Sequence, residues 1–168
     1  PGGGCRLAVA SRSYCPRTYA RLLHAAGLLR LFTFTEVYCL PKAEVHFPNL
    51  RDRSGVGYED MLFFDDEPNN CKQVRALGAT TVLVEQRTGL TEAELEKGLR
   101  KWRQHRRARL GLRTWLGRPV VGPAAPAAPP LGSDFPPLVV FDLDHTLWGG
   151  RLDATAPPYA AAEGRAGV

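Results

Sequence analysis

Along the chain, short apolar runs that end in polar or acidic residues alternate with stretches whose apolar positions recur at helical spacing. CRLAVAS, from Cys5, reads as a strand ending at Ser11. PRTYARLLHAAGL then places Tyr19, Leu22, Leu23 and Ala26 on one helical face, with Pro16 suited to a first turn. FTEVYCL is read as a short strand, and Lys42 leads into AEVHFPNLRDRSG, a partly helical segment broken at Pro48. The unit then recurs. DMLFFDDEPNN is an apolar run ending in two acids, EPNNCKQVRALG a helix stopped at Gly78, and TTVLVE a β-branched strand. Thr91 and Glu94 form a capping-box pattern for a helix carrying Leu95, Leu99 and Trp102 on one stripe. Strands alternating with helices predict an α/β fold, a Rossmann-like open parallel sheet with helices on both faces.

The pattern breaks from Leu116 to Pro137, where Gly, Pro and Ala dominate and no packed core can form; this segment is expected to be a semi-extended linker. It resumes in LVVFDLDHTLW. Leu138, Val139, Val140 and Phe141 lack polar alternation, as a buried parallel strand would. Asp142 and Asp144 follow two apart, so at a strand end both point to one side. Their repulsion, roughly 4 kcal/mol at about 4 Å and a moderate dielectric, calls for a cation nearby. Residues 1–115 are thus expected to form the bulk of a domain, 116–137 a linker, and 138–168 the strand and loop that complete it.

At 168 residues, 44% hydrophobic and 23% charged, the chain has the composition of one globular domain with a real core. The net charge of +5 is modest and gathers in RKWRQHRRARLGLR, from Arg100 to Arg113. Arginines at 100, 103, 106, 107, 109 and 113 are expected to be the solvated end of a helix, favourable to its dipole, rather than a nucleic-acid surface. Cys5, Cys15, Cys39 and Cys71 are far apart, with no C-x-x-C and no histidine at metal-ligand spacing. Reduced thiols of a cytoplasmic protein are expected, not a zinc site. No run is long enough to span a membrane.

Three strands end in chemistry: Ser11 with Arg12, Asp65 with Asp66, and Asp142 with Asp144. In open parallel sheets the functional crevice lies beyond the carboxyl ends of the strands, where these groups can converge. Four acids in one crevice need a hard divalent cation, and oxygen ligands favour magnesium. A carboxylate can attack phosphorus, a hydroxyl such as Ser11 can hold a phosphate oxygen, and a lysine, here Lys42, can offset accumulating charge.

FDLDHTLW, AVASRS, Lys42 and FFDDEPNN together resemble the four motifs of the haloacid dehalogenase superfamily of phosphotransferases, and most closely its small magnesium-dependent phosphatases. RLDATAPPY, after Trp148, is similar to the loop that follows the first motif in those enzymes. The resemblance implies that Asp142 is the nucleophile, that Asp144 is the acid and base, and that Thr146 orients it. It also implies that Ser11 and Lys42 hold phosphoryl oxygens, that Arg12 meets the substrate, and that Asp142, Asp65, Asp66 and the Asp144 carbonyl bind Mg2+. His145 stands where the family carries an aromatic residue, a departure that bears on leaving-group preference.

The motif order is second, lysine, acidic pair, linker, first, which resembles a circular permutation without a cap domain. As a coil the linker averages about 30 Å, enough to bring the first-motif strand to a central slot. The family's amphipathic helix before the second-motif strand has no counterpart here, so a bare sheet face near Val9 and Val140 is expected, inviting a homodimer. A permuted single domain, a piece of a tandem array and a faulty gene prediction stay open. In the last two cases the chain alone is an inactive fragment. The expected activity is magnesium-dependent hydrolysis of aryl (phosphotyrosine-like) or sugar phosphates, small or attached to protein. The alternative is an interaction module whose Arg-rich helix binds acidic partners.

Overall fold

A five-stranded, all-parallel sheet organises the chain, in the order β2-β1-β5-β3-β4. The computed structural model describes residues 4–116 and 135–147, with side chains to Gly111 in the first stretch. The elements are β1 (Arg6–Ser11), α1 (Pro16–Ala25), β2 (Phe32–Val37), α2 (Phe47–Ser54), β3 (Met61–Asp65), α3 (Pro68–Ala76), β4 (Thr80–Leu83), α4 (Glu92–Leu116) and β5 (Leu138–Phe141). Most of the expected linker, together with Trp148 and the RLDATAPPY loop, lies outside the described residues.

The last strand is the central one. Val140 of β5 is in register with Ala8 of β1 on one side and Phe63 of β3 on the other. Leu138, Val139, Val140 and Phe141 are all buried, and at about 1.5–3 kcal/mol each their burial outweighs a closure entropy that grows only slowly with loop length.

Alternation along the strands serves two cores. Ala8, Ala10, Met61, Phe63, Leu138 and Val140 pack with Phe47 and Leu50 of α2 and Val74 of α3. On the opposite face Leu62, Phe64, Val139 and Phe141 meet Leu95, Leu99 and Trp102 of α4, while Val9 packs with Tyr19 and Leu23 of α1. The expected bare face is therefore absent at the two positions named. Val9 and Val140 lie on opposite faces, and each is fully buried beneath the helices that cross over from β1 and towards β3.

Two local expectations also change. Pro48 does not break a helix: residues Lys42–His46 wind as one wide π-helical turn, and Pro48 sits in the first turn of α2, where its missing N–H costs nothing. In α1, Tyr19 and Leu23 are buried and Leu22 is half-buried, but Ala26 is exposed because the helix has already ended at Ala25. The capping box is realised: Glu94 N–H donates to Thr91 Oγ1 (3.3 Å) and Thr91 N–H to Glu94 Oε2 (3.1 Å).

The arginine run of α4 is largely engaged within the chain. Arg100 pairs with Glu96, Arg109 with Asp60, and Arg103 and Arg106 lie over the rings of Phe135 and Trp102. The four cysteines are free. Among the described residues no helix is long and apolar enough to cross a membrane.

Candidate active site

The ends of β1, β3 and β5 bring the predicted residues to one crevice because three parallel strands side by side must finish at the same edge of the sheet. Lys42, carried in by the π-helical turn, supplies the cation that the acids demand. Its Nζ lies 2.5 Å from Asp65 Oδ2 and 2.9 Å from Asp142 Oδ1, and all three side chains are nearly or wholly buried. Burial by itself lowers the Lys42 pKa, but the Asp142 and Asp65 carboxylates more than offset it and leave the pKa raised. Asp65 is pushed up to about 6, chiefly by burial; Lys42 works against that shift and Asp142 adds to it.

Asp65 is further fixed from α3. Its Oδ1 accepts from the Glu67 N–H at 2.7 Å, and Asn70 Nδ2 donates to Oδ1 at 3.2 Å and Oδ2 at 3.1 Å. Asp66, half-buried, accepts from Gln86 Nε2 at 2.9 Å, in the loop after β4. That loop also grips the first-motif segment, since the Leu90 N–H donates to the Thr146 carbonyl at 2.6 Å.

Asp65, Asp66 and Asp142 each offer a carboxylate oxygen, all within 4.8 Å of one another. No hydrogen-bond donor is aligned on the buried Asp142 Oδ1, although the Lys42 ammonium pairs with it electrostatically. Three carboxylate oxygens this close together, two of them on buried residues, fit the all-oxygen ligand set of a hard divalent cation.

The remaining predicted residues are distributed around this centre. Ser11 is buried at the end of β1, its carbonyl held by the Tyr38 N–H (3.2 Å) and by His46 Nε2 (3.2 Å). Arg12, next along, is exposed. Tyr19 donates its hydroxyl to Asp144 Oδ2 at 2.5 Å. Thr146 is fully buried, and its hydroxyl has no hydrogen-bond partner among the described residues. Between them His145 adopts φ 55°, a left-handed conformation that reverses the chain just past the strand.

Sequence reasoning missed Tyr19, Asn70 and Gln86. Tyr19 left a signal, because a tyrosine on a buried helical stripe needs a partner for its hydroxyl.

Comparison with known proteins points the same way. A family model described as Acid Phosphatase matches residues 3–105, spanning Ser11, Lys42 and the acidic pair and leaving β5 outside. Over 93 residues the chain is 33% identical to magnesium-dependent phosphatase 1 of Homo sapiens, covering 55% of this chain and 51% of that protein. Over 83 residues it is 31% identical to an HAD-like hydrolase superfamily protein of Schizosaccharomyces pombe, covering 44% of this chain and 47% of the relative. The chain thus spans about half the length of the curated relatives it matches. With more than half of its residues matched by the family model, the chain belongs to the acid phosphatase family.

Proposed function

We propose that the chain is a magnesium-dependent phosphomonoesterase that works through an aspartyl-phosphate on Asp142. The observation that carries this reading is the Lys42 bridge, 2.5 Å to Asp65 and 2.9 Å to Asp142. It ties Asp142, the carboxylate after β5, to Asp65, the last residue of β3, within one chain.

Asp142, the more accessible end of that bridge, attacks phosphorus; a bond forms from its carboxylate oxygen as the bond to the leaving oxygen breaks. Asp144 gives its proton to that leaving oxygen, then takes a proton from the water that attacks the aspartyl-phosphate and releases inorganic phosphate. Lys42 and the Ser11 hydroxyl hold the non-bridging oxygens as charge builds on them. Asp142, Asp65, Asp66 and the Asp144 carbonyl would hold Mg2+, which when bound neutralises the acids and polarises the phosphoryl group. Arg12, exposed beside Ser11, meets the body of the substrate.

No insertion long enough for a lid separates β1, Lys42 and β3, so the crevice is open to bulky phosphomonoesters, aryl or sugar phosphates, free or attached to protein. Hydrolysis of p-nitrophenyl phosphate by the full chain should require Mg2+, stop with chelator, and vanish in Asp142→Asn. Hydrolysis that persists in a folded Asp142→Asn variant excludes this mechanism.

A further inference from the structure

Tyr19 takes no part in the scheme above, yet it touches the residue assigned as acid and base. Its hydroxyl donates to Asp144 Oδ2 at 2.5 Å, joining α1 to the first-motif loop across 125 residues of sequence. Its ring is buried with Val9, Leu23 and Leu143, which fixes the hydroxyl in space. Ser13, itself buried, acts on the phenol as a hydrogen-bonding neighbour that lowers its pKa, and the Ser13 hydroxyl accepts from the Cys15 N–H at 2.9 Å. Thr146, by contrast, has a hydroxyl without a hydrogen-bond partner among the described residues.

We propose that Tyr19 is the positioning residue for the Asp144 carboxyl group, holding its rotamer and selecting which of its oxygens carries the transferable proton. The inference rests on Asp144 being the acid of the proposed phosphomonoesterase. A phenol, with an ordinary pKa of about 10, keeps its proton at neutral pH and is the donor of this contact. Oδ2 therefore accepts a hydrogen bond, and in the acid form of Asp144 the carboxyl proton belongs on Oδ1. From there it passes to the leaving oxygen as the phosphorus–oxygen bond breaks, and Oδ1 later receives the proton of the attacking water. A carboxyl group free to rotate would present the proton only part of the time.

The experiment compares wild type, Tyr19→Phe and Ser13→Ala as full chains with Mg2+, on p-nitrophenyl phosphate, phenyl phosphate and glycerol phosphate. Tyr19→Phe should leave KM within about twofold on all three substrates. It should lower kcat on glycerol phosphate about tenfold or more, part of the roughly 10²–10⁴-fold a positioned acid contributes, and lower it less than about threefold on p-nitrophenyl phosphate, whose leaving group needs no proton. Ser13→Ala, which keeps the Tyr19 ring in place, should show the same selectivity to a smaller degree. Equal losses across the series, or none, in folded variants overturn the inference.

A readout independent of turnover is the Tyr19 hydroxyl proton by NMR. It should be shifted downfield and slow to exchange in the wild type, and lost in Asp144→Ala. If the wild type hydrolyses no monoester, the proposed function fails by itself. The proton signal still decides the Tyr19 contact, and its absence from the wild type overturns it.

Discussion

Gly98 of α4 rests on the ring of Phe64: a Cβ at Gly98 would stand 2.6 Å from Phe64 Cζ and 3.1 Å from Val82 Cγ2. The ring cannot retreat, because it stacks on Phe141 of β5 with centroids 5.5 Å apart. Gly98→Ala would gain about 0.8–1 kcal/mol of helix propensity, but displacing a buried ring costs about 1–3 kcal/mol. A net loss of stability by urea denaturation is expected. A more stable Gly98→Ala protein would show that α4 does not sit this close to the sheet.

The contact also shows what could and could not be foreseen from sequence. Leu138–Phe141 was legible as a central strand because an unbroken apolar run needs cover on both faces. That Ser11, Asp65 and Asp142 stand at one edge of the sheet was legible because neighbouring parallel strands end there. Gly98 draws no reading and Pro48 reads as a breaker, because close approach and an irregular turn leave no periodic trace. The bare face expected at Val9 and Val140 came from looking for one missing helix, whereas α1 and α2 each cover one of those residues. Tyr19, Asn70 and Gln86 escaped because their partners lie 125, 5 and 20 residues away, on elements whose meeting only the assembled sheet defines.

Lys42 is expected to support the fold as well as the chemistry. Lys42→Met would leave Asp65 and Asp142 buried side by side without their cation, at a cost of about 3–5 kcal/mol. Thermal unfolding should show a lower Tm that Mg2+ raises by a larger increment than in the wild type. An unchanged Tm without Mg2+ would mean that the ion pair contributes nothing to stability.

His46 should make stability depend on pH. Burial, assisted by the Lys42 charge, lowers its pKa in the folded state, against the raising effect of hydrogen bonds to the Ser11 and Pro41 backbone. The unfolded chain, with a histidine pKa of about 6.5, then binds more protons than the folded one, so this group's contribution is lost as pH falls below that value. Asp65 acts in the opposite sense, because a folded pKa raised to about 6 favours the folded state as pH falls. The difference between wild type and His46→Asn isolates the histidine. It should shrink from pH 7 to pH 5, and a constant difference would refute the assignment.

Asp144→Asn should separate substrates by leaving group. Alkyl alkoxides need the proton and p-nitrophenolate does not, so the variant should lose about 10²-fold or more on glycerol phosphate and distinctly less on p-nitrophenyl phosphate. Equal losses would remove Asp144 from the role of acid.

The central claim is that β5 completes the site within its own chain, and anomalous diffraction from crystals of the full chain grown with Mn2+ in place of Mg2+ tests it most directly. The account predicts one metal peak bonded, at about 2.1–2.2 Å, to carboxylate oxygens of Asp142 and of the Asp65–Asp66 pair of the same chain, with Lys42 alongside. A peak ligated by Asp142 of one copy and the acidic pair of another, or no peak at these residues, would contradict it.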